Sequence, residues 1–272
     1  MTLTRAREPI IDGVTLQTNR RSWLCDMDGV LIAQGRMVPG ADAFLARLRD
    51  TAAPFLVLTN NSLFTPGELS SQLHAMGLEV AEDQLWTSAL ATARFVASQR
   101  PGGTAFVIGE PSMHEALRDV GYREVADAAD YVVLGETQEY SFNDFSTAIG
   151  LIERGSRFVA TNHEVNGPGP RGSLPGVGAM AGLIERATGV APYYVGKPNP
   201  VMIREGLAIL GAHSAGTIMV GDRMDTDILA GVEAGLETVL VLSGVTGDQE
   251  IDRLPYRPTR VVESVAELAL EI

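Results

Sequence analysis

Short, almost wholly apolar runs recur along the chain, and each is followed at once by polar residues. Trp23-Leu24-Cys25 leads into Asp26-Met27-Asp28-Gly29, and Phe55-Leu56-Val57-Leu58 leads into Thr59-Asn60-Asn61-Ser62. Tyr193-Tyr194-Val195-Gly196 leads into Lys197-Pro198, and Thr217-Ile218-Met219-Val220-Gly221 leads into Asp222. Unbroken apolar runs of this length predict strands buried on both faces, as in parallel sheets. Residues 105–109, 131–135, 157–161 and 238–242 read the same way. Helical spacing intervenes, as at Phe44, Leu45 and Leu48. Thr65-Pro66-Gly67-Glu68 predicts a capping box, with Pro66 at the first helical position and the helix running to Gly77. Further helices are predicted over 89–99, 178–189 and 225–234, and after an Asn199 cap with Pro200 behind it. Residues 1–20 read as irregular or an edge segment, and 261–272 as a short strand and a helix. Residues 162–178, rich in Gly and Pro, read as a long loop of the kind that often carries function. Alternation of strand and helix predicts an α/β fold built on a parallel sheet.

Charge narrows the partners. The 272-residue chain carries a net charge of −13, which disfavours a nucleic acid polymer or an anionic membrane while leaving small anions open. Cys25 is the single cysteine, so no intrachain disulfide forms, and a reducing, cytoplasmic setting is expected. Strand alternation turns Cys25 away from its neighbour Asp26 and into the core. No apolar run approaches the roughly 18 residues that a spanning helix needs.

The polar groups at the strand ends carry the chemistry. In open parallel sheets ligands bind beyond the carboxyl ends of the strands, so clusters far apart in sequence can share one crevice. Asp26, Asp28 and Asp222 would then meet, and at roughly 4 Å each pair repels by about 4 kcal/mol at an effective dielectric near 20. Such a set must take up protons or hold cations. Lys197 supplies one positive charge, and a hard, oxygen-ligated divalent ion, Mg²⁺ by preference, supplies the rest. One aspartate can attack phosphorus and form an aspartyl-phosphate, and a second carboxyl can protonate the leaving oxygen and then deprotonate water. The spacing of Asp26 and Asp28 suits this division, because alternate residues of an extended segment point the same way. Thr59, Asn60, Asn61 and nearby backbone N–H groups can hold phosphoryl oxygens, with Lys197 neutralising their charge.

Taken together, Asp26-Met27-Asp28-Gly29-Val30, Thr59-Asn60, Lys197-Pro198 and Gly221-Asp222 with Asp227 match four ordered motifs. On these the chain resembles the haloacid dehalogenase-like phosphohydrolases, and within them the NagD-type sugar-phosphate and nucleotide phosphatases. The resemblance implies a Rossmann-like parallel core at residues 1–85 and 183–272, with an α/β cap of the C2 type inserted at 86–182. It implies Asp26 as nucleophile and Asp28 as acid/base. Mg²⁺ would be held by Asp26, the backbone carbonyl of Asp28 and Asp222, with Asp227 orienting the site from behind. The cap would exclude water and contact the leaving group. A homodimer through the cap is plausible by the same analogy. Residues 162–178 would be the specificity loop, bringing Asn162, His163 and Glu164 near substrate. Relatives often read Thr-Asn-Pro-Asp where this chain has Thr161-Asn162-His163-Glu164.

The expected function is Mg²⁺-dependent hydrolysis of a small phosphate ester. A nucleotide P-loop is excluded because Ala191 stands where its first glycine belongs and Pro198 replaces Ser/Thr. A Rossmann cofactor domain is excluded because no Gly-x-Gly-x-x-Gly follows the first strand. Asp28 argues against dehalogenases. A phosphotransferase or phosphomutase remains an alternative, as does a non-catalytic phosphate-binding protein on the same scaffold, which would predict a broken motif.

Overall fold

All five residues of the Ser22–Asp26 strand are buried, as a central strand of a parallel sheet requires. The strand pairs with Thr217–Gly221 on one side and Phe55–Thr59 on the other. The full sheet runs Arg260–Val262, Glu237–Val241, Thr217–Gly221, Ser22–Asp26, Phe55–Thr59 and Leu85–Thr87, with every pairing parallel. These features come from a computed structural model that describes residues 21–169, 172–247 and 251–272, so the segment expected at 1–20 lies outside it.

A second parallel sheet runs Tyr193–Tyr194, Arg157–Ala160, Tyr131–Leu134, Thr104–Ile108 and Arg123–Glu124. The insertion expected at 86–182 differs from these pairings at both ends. Trp86 pairs with Leu58 in the first sheet, while Tyr193 and Tyr194 pair with Val159 and Ala160 in the second.

Although the apolar runs are unbroken, their faces separate with the two-residue period of a strand. Trp23, Cys25, Val57 and Val220 pack with Phe44, Leu45, Leu48, Leu69 and Leu73 on one side of the first sheet. Leu24, Leu56, Leu58 and Met219 pack on the other side with the Ser88–Gln99 and Pro200–Leu210 helices. That second cluster continues into Ala105, Tyr131, Val133 and Val159 of the second sheet. The two sheets are therefore joined through shared helices. Small buried residues on Ser88–Gln99, among them Ala89, Ala91 and Ala93, allow this close fit.

The capping box at Thr65 forms as expected, with Glu68 N–H donating to Thr65 Oγ1 (3.2 Å) and Thr65 N–H to Glu68 Oε2 (2.8 Å). Asn199 caps the next helix by accepting from Val201 N–H (2.9 Å). The long loop expected at 162–178 is corrected: Asn166–Gly169 and Gly172–Pro175 form an antiparallel hairpin. Its residues 172–175 are exposed, so no apolar alternation marked the strand, and Gly and Pro argued against one. No described helix is long and apolar enough to cross a membrane.

Candidate active site

The carboxyl ends of three first-sheet strands deliver Asp26, Thr59 and Asp222 to one crevice. Lys197 arrives from the second sheet, three residues after the Tyr193–Tyr194 strand. It is 2% exposed, and its Nζ contacts Asp26 Oδ1 at 2.5 Å, Asp227 Oδ1 at 2.7 Å and the Leu58 carbonyl at 3.2 Å. Burial alone would lower its pKa, but Asp227 and Asp26 outweigh that and raise it. The ammonium is therefore held charged.

Asn60 fixes the lysine from the backbone. Its Oδ1 accepts from Lys197 N–H (2.8 Å), and its Nδ2 donates to the Lys197 carbonyl (3.1 Å) and to Glu164 Oε1 (3.0 Å). One amide thus ties the first-sheet loop, the lysine and the 162–178 segment together.

Asp26 Oδ1 accepts from Met27 N–H (2.8 Å) as well as from Lys197. Among the described residues, no protein donor reaches its Oδ2. Asp222 Oδ2 accepts from Val245 N–H (2.8 Å). Two glycines make room for this carboxylate: a Cβ on Gly29 (φ +78°) or on Gly244 would overlap it. Gly29 is also in a left-handed conformation that side chains resist. Asp227 sits on a π-helical turn, Met224–Ile228, and is fully buried. Its Oδ2 accepts from Arg223 N–H (3.2 Å). Its Oδ1 lies 2.7 Å from Lys197 Nζ in a buried ion pair.

Carboxylate oxygens of Asp26, Asp222 and Asp227 lie within 4.8 Å of one another. Burial, then repulsion from Asp227, raises the pKa of Asp26 well above the usual carboxylate range and pushes Asp222 up to about 6. Three crowded carboxylates against a single lysine leave negative charge uncompensated, and an all-oxygen donor set of this kind fits a hard divalent cation. Asp28 reaches solvent in the crevice, yet protein atoms crowd its carboxyl. This desolvation raises its pKa, with Lys197 opposing and Glu164 and Asp227 adding to it.

The other expected site residues are also placed. Thr59 is buried, and its Oγ1 accepts from Asn61 N–H (3.1 Å). Asn61 Oδ1 is committed to its own turn, accepting from Leu63 and Phe64 N–H groups (3.0 and 3.1 Å). Asn162 bridges elements, with Nδ2 donating to the Asn60 carbonyl (3.1 Å) and Oδ1 accepting from Glu164 N–H (3.1 Å). Among the described residues His163 Nδ1 is buried with no hydrogen-bond partner, and its ring meets Tyr194 edge-on at 6.2 Å.

Sequence reasoning missed Gly244, Ser243 and Glu136. Ser243 donates to the Gly29 carbonyl (2.7 Å), bracing the Asp26–Asp28 turn. Ser243 and Gly244 follow the Glu237–Val241 strand, so the strand-end rule applied to that strand would have found them. Glu136 Oε2 accepts from Ser62 N–H (2.8 Å) and Ser62 Oγ (3.2 Å), across 74 residues.

A family model described as haloacid dehalogenase-like hydrolase matches residues 23–123, and a second model of that group matches 194–268. The chain belongs to the haloacid dehalogenase-like hydrolases. Within them it is of the NagD type and is a phosphatase. It is 54% identical to dihydroxyacetone phosphatase of Corynebacterium glutamicum strain R, over 91% of this chain and 90% of that one. It is 41% identical to ribonucleotide monophosphatase NagD of Escherichia coli K12, over 90% and 96%. The solved structure of NagD from E. coli K-12 superposes with a TM-score of 0.87 at 40% identity, covering 91% of this chain and 98% of that one. A p-nitrophenyl phosphatase from Archaeoglobus fulgidus gives 0.88 at 34% identity, covering 93% and 99%. The fold described here is therefore shared with solved phosphatases of this kind.

Proposed function

We propose that the protein hydrolyses small phosphate monoesters with Asp26 as nucleophile and Asp28 as general acid and base. The observation that carries this reading is Asp26 itself. One oxygen is fixed by Met27 N–H and Lys197, the other has no described donor, and Asp28 stands two residues away. The free oxygen forms a bond to phosphorus as the ester P–O bond breaks, and the departing alkoxide takes the Asp28 proton. The raised pKa of Asp28 suits a group that begins protonated. The Asp28 carboxylate then removes a proton from water, whose oxygen attacks the aspartyl-phosphate and frees inorganic phosphate and Asp26. Lys197 neutralises charge on the nucleophile and on the phosphoryl oxygens. Thr59, through its hydroxyl, orients the phosphoryl group.

Asp26, the Asp28 carbonyl and Asp222 would hold Mg²⁺, and Asp227 keeps Lys197 in place. When bound, Mg²⁺ supplies charge that lets the carboxylates and the substrate phosphate share one crevice. The second sheet, with its 166–175 hairpin, acts as the cap. His163 and Glu164 are the residues we assign to leaving-group selection. Dihydroxyacetone phosphate is the first substrate to test and nucleoside monophosphates the second, on the strength of the two relatives. The single buried Cys25 suits the cytoplasmic setting we propose.

The experiment is phosphate release from dihydroxyacetone phosphate, nucleoside monophosphates and p-nitrophenyl phosphate, with Mg²⁺ and with chelator, for wild type beside Asp26→Asn. Mg²⁺-dependent release that vanishes in the variant is expected. Near-wild-type turnover by folded Asp26→Asn would remove Asp26 as nucleophile.

A further inference from the structure

The reaction centre lies beyond the carboxyl ends of the strands. A separate cavity of about 350 Å³ lies at the opposite end of the second sheet, lined by Phe95, Gln99, Arg100, Tyr131, Arg157 and Tyr193. Tyr131 and Arg157 are the first residues of their strands. Arg157 is four residues from Thr161, roughly 13 Å along an extended chain.

Two cations face this cavity in a protein of net charge −13. Arg100 Nε pairs with Asp130 (3.0 Å), which neutralises one of them. The guanidinium of Arg157 lies over the Tyr131 ring at 5.5 Å, and among the described residues no carboxylate pairs with it. Its own backbone N–H donates to the Asp130 carbonyl (3.0 Å), so the two arginines are anchored at one spot. The local balance of these three groups is one net positive charge.

The remaining wall is aromatic. Tyr193 is 43% exposed and stacks on Phe95, with ring centroids 4.7 Å apart and planes 18° from parallel. Phe95 belongs to the helix that leaves the first sheet, and Tyr193 to the strand that returns toward Lys197. The stack therefore spans both chain crossings between the sheets. Guanidinium donors recognise phosphate or carboxylate oxygens, and an aromatic wall recognises a planar ring. A cavity of this size matches a small-metabolite site.

We propose that this cavity is a second, non-catalytic binding site for a small molecule that joins a planar ring to a phosphate or carboxylate. The ring lies against Phe95 and Tyr193, and the anionic group meets Arg157 and the free terminal nitrogens of Arg100. The site requires no metal and is independent of the reaction assigned to Asp26.

The test is titration calorimetry with AMP as probe on chelator-treated protein, where turnover is stopped and the uncompensated carboxylates of the reaction centre repel anions. Saturable binding is expected for wild type and, unchanged, for Asp26→Asn. Arg157→Gln should weaken it at least roughly tenfold, because a charged hydrogen bond is lost. Tyr193→Ser should weaken it too, and adenosine and ribose 5-phosphate, each lacking one half of the probe, should bind more weakly than AMP. Arg157 is exposed at a strand start, so Arg157→Gln should melt like wild type and keep its turnover. Absence of saturable binding at millimolar AMP would overturn the proposal. So would equal binding by Arg157→Gln and wild type, or loss of binding confined to Asp26→Asn.

Discussion

Glu136→Gln should make the protein more stable at alkaline pH and leave it unchanged at acid pH. Glu136 reaches from the second sheet to the first-sheet loop, where Ser62 donates to it through N–H and hydroxyl. Burial, with Glu164 and Asp28 adding and the Ser62 bonds opposing, pushes its carboxyl from 4.5 up to about 7. The folded-state value lies above the unfolded one, so this group favours folding while protonated. Its contribution is full below pH 4.5 and is lost as pH rises through about 7. A gap of about 2.5 pH units, at about 1.4 kcal/mol each, sets an upper limit of roughly 3.5 kcal/mol. Glu136 is only partly covered by area, so screening reduces the expected effect to about 1–2 kcal/mol. Glutamine keeps an oxygen for Ser62 N–H and can donate its amide to the hydroxyl, which also meets Thr161 Oγ1 (3.2 Å). The assay is urea unfolding of chelator-treated wild type and variant near pH 5 and near pH 8. At roughly 2–4 °C per kcal/mol, thermal melts should show the same difference as several degrees. Parallel pH–stability curves for the two proteins would refute the reasoning, because the charge would then cost nothing in this place.

Three further outcomes are expected. Asp222→Ala should raise the Mg²⁺ concentration needed for half-maximal activity by about tenfold or more, and an unchanged requirement would move the ion to other residues. Gly29→Ala should lower the melting temperature, since the left-handed backbone alone costs about 1–2 kcal/mol, and should abolish turnover because its Cβ displaces Asp222; near-wild-type kcat would show that the cradle is dispensable. Asn60→Ala should reduce kcat roughly 10- to 100-fold through misplacement of Lys197, with KM little changed; a rise in KM alone would make Asn60 a substrate contact rather than a positioning residue.

Much of this was legible in the sequence. Residues 23–25, 55–58 and 217–220 could be read as central strands because burial on both faces leaves no polar position to confuse the pattern. Once the strands were placed, their carboxyl ends pointed to Asp26, Thr59 and Asp222. What escaped had no period or lay far apart. Leu85–Thr87 and Tyr193–Tyr194 are too short to show alternation, so their membership of one sheet or the other depends on tertiary pairing alone. The 166–175 hairpin is held by backbone bonds between residues of low strand propensity. Contacts such as Ser62 with Glu136, or Asn60 with Glu164 and Lys197, join residues 74 to 137 positions apart, and no local signal carries them.

The second sheet's ownership of Tyr193–Tyr194 changes how the reaction centre is understood. Lys197 leaves a strand of that sheet, yet its ammonium is held by Asp26, Asp227 and the Leu58 carbonyl of the first. Between strand and lysine stands Gly196, where a Cβ would strike the Thr161 carbonyl and the Asn60 amide. The chain crosses between the sheets here in close contact: Gly196 N–H donates to the Thr161 carbonyl (2.7 Å) and Lys197 N–H to the side-chain Oδ1 of Asn60. Displacement of the second sheet must therefore bend the chain at this crossing or pull the lysine from Asp26. Three hydrogen bonds from one asparagine and two ion pairs resist the second course. Lys197 and the second sheet are thus one mechanical unit, with Asn60 as the joint between them.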